Sequence, residues 1–203
     1  MIKPRELEEQ INAFLRKKSG LNQNRRYLGM SQIGRCPQQI YNGYTRGVDM
    51  SDFHHRMAYT GYLHELDVLQ RLREMKIAVL DRREVVADFD DRVRGHIDGL
   101  TSWGDLLEIK SVTTSKYELI CQQGRPLHEH ADQATMYMRF GGWQYCWFIY
   151  VNRETFEHRV IRLAFDARRA ERLVEKARRI LAAIDSQHAP ECECGKCGRK
   201  DEK

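Results

Sequence analysis

The chain has 203 residues and a formal net charge of +5, and 31% of its residues are charged against 41% that are hydrophobic. This length suits one domain of ordinary size, and no apolar stretch approaches the roughly 18 residues that a membrane-spanning helix needs. The charged N-terminus lacks the apolar core of a secretory signal, so we expect a cytoplasmic protein without a membrane partner. Six cysteines in that compartment favour metal ligands or free thiols over disulfides.

Hydrophobic periodicity, helix-stop signals and turn signals predict four helices and six strands. In chain order these are helix Pro4–Lys18, helix His54–Met75, strands Ile77–Leu80, Glu84–Phe89, Val93–Leu100 and Leu106–Val112, helix Glu129–Phe140, strands Trp143–Val151 and Glu157–Leu163, and helix Asp166–Asp185. The order predicts an α/β fold with a mixed central sheet flanked by helices. A dinucleotide-binding fold is disfavoured because no Gly-x-Gly-x-x-Gly follows a strand.

Positive charge is concentrated at the N-terminal end. Residues 1–48 contain nine lysines and arginines and three acids, a net charge of +6, whereas the remaining residues sum to −1. Several tyrosines are interleaved with the basic residues. Because a basic stretch with aromatic rings favours phosphate contact and base stacking, we predict that Arg25, Arg26 and Arg35 contact nucleic acid. A solvated basic surface is the alternative interpretation.

Two carboxylates are predicted to face each other across a hairpin. Asp98 lies on the strand Val93–Leu100 and Glu108 on the returning strand, so a turn near Trp103 puts them almost directly opposite, about 5 Å apart. Adjacent carboxylates repel each other unless a cation lies between them, and hard oxygen ligands favour Mg²⁺ or Mn²⁺. An exposed salt bridge across the two strands is the alternative.

A lysine completes this predicted site. Lys110 follows Glu108 by two residues and therefore shares its face of the strand. A carboxylate metal ligand beside an ammonium group is typical of phosphodiester hydrolysis, where the lysine orients water and offsets developing negative charge. The same spacing recurs at Glu74-Met-Lys76, but there it falls at a predicted helix end, where residues i and i+2 do not face each other.

Taken together, the motifs and their order resemble the RecB-like branch of the PD-(D/E)XK nuclease superfamily. The matching pieces are Gly61-x-x-His64, Gly95-His-Ile-Asp98, Glu108-Ile-Lys110 and Gln133-x-x-x-Tyr137. Within that branch the chain is most similar to the CRISPR-associated RecB-like exonucleases and their virus-encoded relatives. That narrower similarity rests on Ser31-Gln-Ile-Gly-Arg-Cys36-Pro and on the C-terminal cysteines.

The resemblance implies a restriction-endonuclease-like core and a role for each motif residue. Asp98, Glu108 and Lys110 are then catalytic, and the divalent metal is held by His64, Asp98, Glu108 and the Ile109 carbonyl. Gln133 and Tyr137 position DNA, which in such relatives is often single-stranded. The resemblance further implies a 4Fe–4S cluster held by Cys36, Cys192, Cys194 and Cys197. Four thiolates also suit Zn²⁺, which stays open as the alternative.

We therefore expect one nuclease domain over residues 1–203, with a basic N-terminal region (1–53), a catalytic core (54–165) and a C-terminal helix with a cysteine tail (166–203). The leading hypothesis is a metal-dependent DNA exonuclease in DNA processing, recombination or CRISPR-type adaptation, working with DNA and with other DNA-processing proteins. A virus-encoded chain would act in the host cytoplasm. The alternatives are a non-catalytic nucleic-acid-binding adaptor with this fold, and a protein whose zinc tail recruits a partner. We expect the remaining cysteines to be structural, Cys121 in a loop and Cys146 in a strand.

Overall fold

The structure of the chain is a computed structural model that describes residues 3–19, 26–47, 50–79, 83–87, 89–195 and 197. The helices are α1 Pro4–Lys18, α2 Pro37–Arg46, α3 Asp52–Glu74, α4 Thr114–Gln123, α5 His128–Gly141 and α6 Ala167–Asp185. The strands are β1 Leu28–Gly29, β2 Ala78–Val79, β3 Glu84–Val86, β4 Val93–His96, β5 Gly99–Thr101, β6 Leu106–Val112, β7 Tyr145–Asn152 and β8 His158–Ala164. Within the described residues, every helix is too short or too polar to cross a bilayer.

The centre of the fold is a mixed sheet of five strands in the order β2-β5-β6-β7-β8. Only β6 and β7 pair in parallel, and the other neighbours are antiparallel. A second sheet of three strands has the order β1-β4-β3, with β1 parallel to β4. The α/β class and the mixed central sheet predicted from the sequence are confirmed.

Helices cover each face of the central sheet. Successive side chains of β6 point to opposite faces and therefore pack against different helices. Leu107 and Ile109 belong to the smaller apolar cluster, which packs against Val68 and Leu69 of α3. Leu106 and Val112 point the other way, into the larger cluster built with α5 and α6. Because side chains alternate along a strand, Glu108 and Lys110 lie on this second face.

Most of the predicted elements are confirmed within two or three residues, but the hairpin differs from the prediction. The stretch Val93–Leu100 is not one strand: β4 belongs to the three-stranded sheet and β5 to the central sheet, and the chain crosses between them at Ile97 and Asp98. Periodicity within the sequence cannot reveal such a crossing, because both halves have the composition of a strand and only their partners differ.

Two helices were missed. In α2, Pro37 occupies the first turn and Gly47 ends the helix at a positive φ of 73°, yet only three residues are buried, so its apolar pattern is faint. The helix α4 buries Ile120 alone and ends at Gly124. Cys121 therefore lies in a helix, and its assignment to a loop was wrong.

Candidate active site

The candidate active site lies where the chain passes from the three-stranded sheet to the central sheet. It brings together Asp98, Glu108 and Lys110. The pairing of Gly99 with Leu107 and of Leu100 with Leu106, extended by one residue, puts Asp98 opposite Glu108. The Oδ2 atom of Asp98 accepts a hydrogen bond of 2.7 Å from the Ile109 backbone N–H. Asp98 thus reaches the predicted position from the crossing segment rather than from within a strand.

Lys110 bridges the two carboxylates. Its Nζ atom lies 2.6 Å from Oε2 of Glu108 and 3.9 Å from Oδ2 of Asp98. Burial alone would lower the pKa of Lys110, but the Glu108 and Asp98 charges outweigh it and hold that pKa above its ordinary value. The ammonium group therefore keeps its proton, which suits it to donate hydrogen bonds and offset negative charge rather than to act as a base.

Glu108 is fully buried and only half satisfied. Its Oε1 atom has no hydrogen-bond partner among the described residues, although Oε2 binds Lys110. Burial is the main cause that raises the pKa of Glu108 to about 8, and the negative charge of Asp98 raises it further. The positive charge of Lys110 acts in the opposite direction but does not offset both effects. A buried unpartnered oxygen costs about 1–3 kcal/mol, and more when it is charged. An additional cation would remove this cost, and carboxylate oxygens are the ligands that Mg²⁺ and Mn²⁺ prefer, so this pair fits a divalent metal.

His64 lies on the other face of β6. Its Nδ1 atom is 2.7 Å from the Ser111 hydroxyl, and burial followed by the Arg153 charge lowers its pKa. Among the residues that the structure describes, no three His, Cys, Asp or Glu ligand atoms lie within 4.8 Å of one another except the cysteine set below. His64 is therefore not gathered with Asp98 and Glu108 here, and its role as a ligand stays a prediction. A partner at Nδ1 is what a metal-binding imidazole commonly has, with Nε2 left for the ion.

Gln133 and Tyr137 lie on one face of α5 and contact each other. The Gln133 amide donates to the Tyr137 hydroxyl at 3.1 Å, and that hydroxyl donates to the His96 carbonyl at 3.0 Å. Burial first, then the Glu108 charge, raises the pKa of Tyr137, so the phenol remains a donor. A Cβ atom on Gly95 would lie 2.4 Å from Cε1 of Tyr137, so only glycine fits there. Two of the motif pieces therefore meet by direct contact.

These residues border a polar pocket, which approaches the carboxylates at Tyr137, where the charges of Glu108 and Asp98 are felt. Sequence reasoning missed Arg94, whose guanidinium lies 5.9 Å from the centre of the Tyr27 ring at the rim of the pocket. The signal was present, since Arg94 directly precedes the Gly95 motif and Tyr27 precedes the Ser31 motif, but no spacing rule links the two. The pocket is lined by Tyr27, Gly29, Ser31, Arg94, Gly95, His96, Gln133 and Tyr137.

The predicted basic contacts lie on exposed surface. Arg26 and Arg35 are both exposed, and Arg25 lies outside the described residues. The Arg26 carbonyl accepts a hydrogen bond of 2.9 Å from the Tyr44 hydroxyl. The Arg35 carbonyl accepts one of 2.6 Å from Nζ of Lys176 in α6. Both guanidinium groups remain predicted nucleic-acid contacts.

Four cysteines form a cluster that joins the N-terminal and C-terminal regions. The sulfur atoms of Cys36, Cys192, Cys194 and Cys197 all lie within 4.8 Å of one another. Neighbouring Sγ atoms are separated by 3.6, 3.4 and 3.4 Å, far more than the ~2.05 Å of a disulfide. Four thiolates at ~2.3 Å from one tetrahedral ion lie ~3.8 Å apart, so the cluster is suited to hold a metal. Hydrogen bonding from the Cys197 backbone lowers the pKa of Cys192 to about 6, whereas burial and the neighbouring thiols raise the pKa of Cys197. The thiolate form that binds metals is therefore favoured at Cys192 but not at Cys197.

No family model matches the sequence, and no curated protein matches it. Among solved structures, the alkaline exonuclease LHK-Exo from Laribacter hongkongensis superposes with a TM-score of 0.64 at 15% identity, over 79% of this chain and 89% of that one. The LHK-Exo complex with dAMP gives a TM-score of 0.65 at 16% identity, over 89% and 93%. The crystal structure of SSO0001 gives 0.60 at 18% identity, over 84% and 86%. The chain thus shares the fold of these solved structures, which agrees with the α/β architecture that the sequence predicted.

Proposed function

We propose that this chain is a metal-dependent DNA exonuclease that hydrolyses phosphodiester bonds at the ends of single-stranded DNA. The observation that carries the proposal is the cluster of Asp98, Glu108 and Lys110, in which the buried Glu108 has an unpartnered oxygen that a cation would satisfy. The fold adds support, because LHK-Exo is an exonuclease that has been solved with dAMP. The biological setting that we propose is DNA processing, recombination or CRISPR-type adaptation.

Each residue of the cluster has a distinct part in the proposed reaction. Asp98 and Glu108 would hold Mg²⁺ or Mn²⁺ together with the Ile109 carbonyl. His64, which lies on the other face of β6, stays a predicted further ligand. When bound, the cation supplies Lewis-acid stabilisation of the charge on the scissile phosphate. Lys110 keeps its proton between the two carboxylates, donates to the attacking water and offsets the negative charge that develops on the phosphate.

The polar pocket beside the cluster binds the nucleotide that is cleaved. Gln133 and Arg94 present amide and guanidinium donors there, and the exposed Arg26 and Arg35, together with Arg25, contact the backbone of the strand. Tyr137 is buried and braces Gln133 through the bond between the two side chains. Because Gln133 and Tyr137 both line the pocket, the two side chains position the DNA together.

We also propose that Cys36, Cys192, Cys194 and Cys197 hold a 4Fe–4S cluster or Zn²⁺. A 4Fe–4S cluster distributes its four thiolates over four iron atoms, whereas Zn²⁺ gathers them around one ion. The sulfur separations of 3.4–3.6 Å suit the second arrangement, and the resemblance favours the first. Metal analysis and the visible absorption spectrum of protein purified without oxygen distinguish the two.

The decisive experiment uses purified protein and end-labelled DNA, single-stranded and duplex, with Mg²⁺, Mn²⁺ or excess EDTA. Release of labelled mononucleotides from linear but not circular single strands is the expected result. Glu108→Gln or Lys110→Ala should lower the rate by at least ~10²–10³, since each removes an interaction with developing charge or its cation. Circular dichroism should show that both variants remain folded.

The chain supplies a matched control in its second Glu-x-Lys pair. Glu74 is exposed at the end of α3, where it accepts a hydrogen bond of 2.7 Å from Gln70, and Glu74→Gln should leave cleavage unchanged. Cleavage by Glu108→Gln within a few-fold of the wild-type rate, or full activity in EDTA, would contradict the proposal. A folded wild-type protein that binds DNA but never cleaves it would favour the adaptor alternative.

A further inference from the structure

Charge is strongly segregated around α6. Its buried face consists of Ala170, Leu173, Ala177, Ile180 and Leu181. On one side of that face, cations recur at intervals of three and four residues and therefore share one flank of the helix. We call this the basic flank; it comprises Arg169, Arg172, Lys176 and Arg179. The other flank is mixed, because there Arg178 pairs with Glu175 at 3.8 Å.

The basic flank is incompletely neutralised by the described acids nearby. Arg169 lies 3.7 Å from the buried Asp132, and Arg179 lies 3.5 Å from the exposed Glu193. Asp166, the residue that caps the start of α6, also interacts with Arg169 and Arg172. Three carboxylates against four cations leave a charge of +1 along the helix. The pair of Arg179 with Glu193 is long and exposed, so it holds its partner weakly and Arg179 can exchange it for another anion. Arg172 is exposed as well.

The basic flank adjoins the proposed active site through one continuous segment. Residues 27–36 line the polar pocket at Tyr27, Gly29 and Ser31 and end at Cys36. Lys176 of the basic flank donates a hydrogen bond of 2.6 Å from its Nζ atom to the Arg35 carbonyl of this segment. A strand leaving the pocket along this segment would therefore meet the basic flank.

We propose that the basic flank of α6 binds the sugar–phosphate backbone of the DNA strand that the active site processes, an inference that rests on the proposed function. The four cations span residues 169–179, which at 1.5 Å per residue is about 15 Å. Phosphates along one strand advance by ~3.4 Å, so the flank accompanies about four of them. It makes no contact with bases and confers no sequence preference.

The test measures how DNA affinity depends on salt. Fluorescence anisotropy of a labelled oligo-dT and of a duplex, with every variant made in a Glu108→Gln background to prevent cleavage, gives the association constant K over a range of KCl concentrations. Arg172→Ala should make the slope of log K against log[KCl] shallower by ~0.7 on the single strand or ~0.9 on the duplex, and Arg172→Ala with Arg179→Ala by about twice that. The larger change identifies which form of DNA the flank contacts.

Arg178→Ala is the matched control, because it removes the same charge from the same helix on the mixed flank and should leave the slope unchanged. Melting temperature and metal content of each variant confirm an intact fold. Slopes equal to that of Glu108→Gln alone for both forms of DNA in the Arg172 and double variants would overturn the inference. So would an equal loss in Arg178→Ala, which would indicate a diffuse effect of net charge. Neither result touches the proposed function, which fails if the wild-type protein does not cleave DNA or if cleavage survives Glu108→Gln or EDTA.

Discussion

Replacing Cys36 by serine tests the cysteine cluster through its effect on stability. Cys36 and Cys197 are separated by 161 positions in the sequence, and their sulfur atoms lie 3.4 Å apart. A metal that stays bound to both sulfur atoms when the chain unfolds keeps that loop closed in the unfolded state, as a disulfide would. The chain-entropy relation for a crosslink of this length gives about 5 kcal/mol. Because whole domains are stable by only ~5–15 kcal/mol, losing the crosslink should be easily measurable.

Equilibrium urea unfolding of metal-loaded wild type, chelated wild type and Cys36→Ser is the assay. We expect the free energy of unfolding to fall by several kcal/mol on chelation, and Cys36→Ser to resemble the chelated protein. Cys121→Ser is the control: Cys121 lies in α4 outside the cluster, and its replacement should change stability by less than ~1 kcal/mol. Cys36→Ser with wild-type stability, in a protein that contains neither iron nor zinc, would refute the crosslink.

Two further predictions concern the core near the site. Gly95→Ala should destabilise the fold by ~1–3 kcal/mol, because the new Cβ collides with Tyr137, whereas Gly61→Ala, which meets no atom within 4 Å, should be neutral or stabilising in thermal unfolding. Burial, with Lys110 nearby, lowers the pKa of His130 to about 3, below the unfolded value of 6.5. The unfolded chain therefore binds this proton first, and stability present above pH 6.5 should be lost as the pH falls towards 3, by up to ~1.4 kcal/mol per pH unit. His130→Phe should flatten that part of the pH–stability curve, and an unchanged curve would contradict the assignment.

The parts of the fold that the sequence predicted well are those whose burial pattern is local. The helix α6 buries a residue every three or four positions, and β7 is buried along most of its length. Such patterns are visible in one chain because each side chain's environment follows from its position in the element. The helices α2 and α4 lacked that signal, since few of their residues are buried.

In the candidate site, too, the contacts that the sequence predicted are the local ones. Glu108 and Lys110 could be paired from the sequence because residues two apart on a strand lie on the same face. Asp98 could be added because the register of a hairpin determines which residue lies opposite Glu108. The contact of Gly95 with Tyr137 joins residues far apart in sequence, and the rim position of Arg94 depends on the three-stranded sheet. Only the tertiary structure specifies such contacts.

The cysteine cluster also bears on how the pocket is held in place. The strand β1 has two residues, Leu28 and Gly29, and pairs in parallel with β4, which is too short a ladder to fix a pocket wall by itself. The segment that follows is anchored at its far end by Cys36. Glu108 and Lys110, in contrast, lie on the longer strand β6, paired along its whole length with β7. Loss of the cluster should therefore loosen the pocket wall while the carboxylates and Lys110 stay in position, so that DNA affinity falls before the chemical step does.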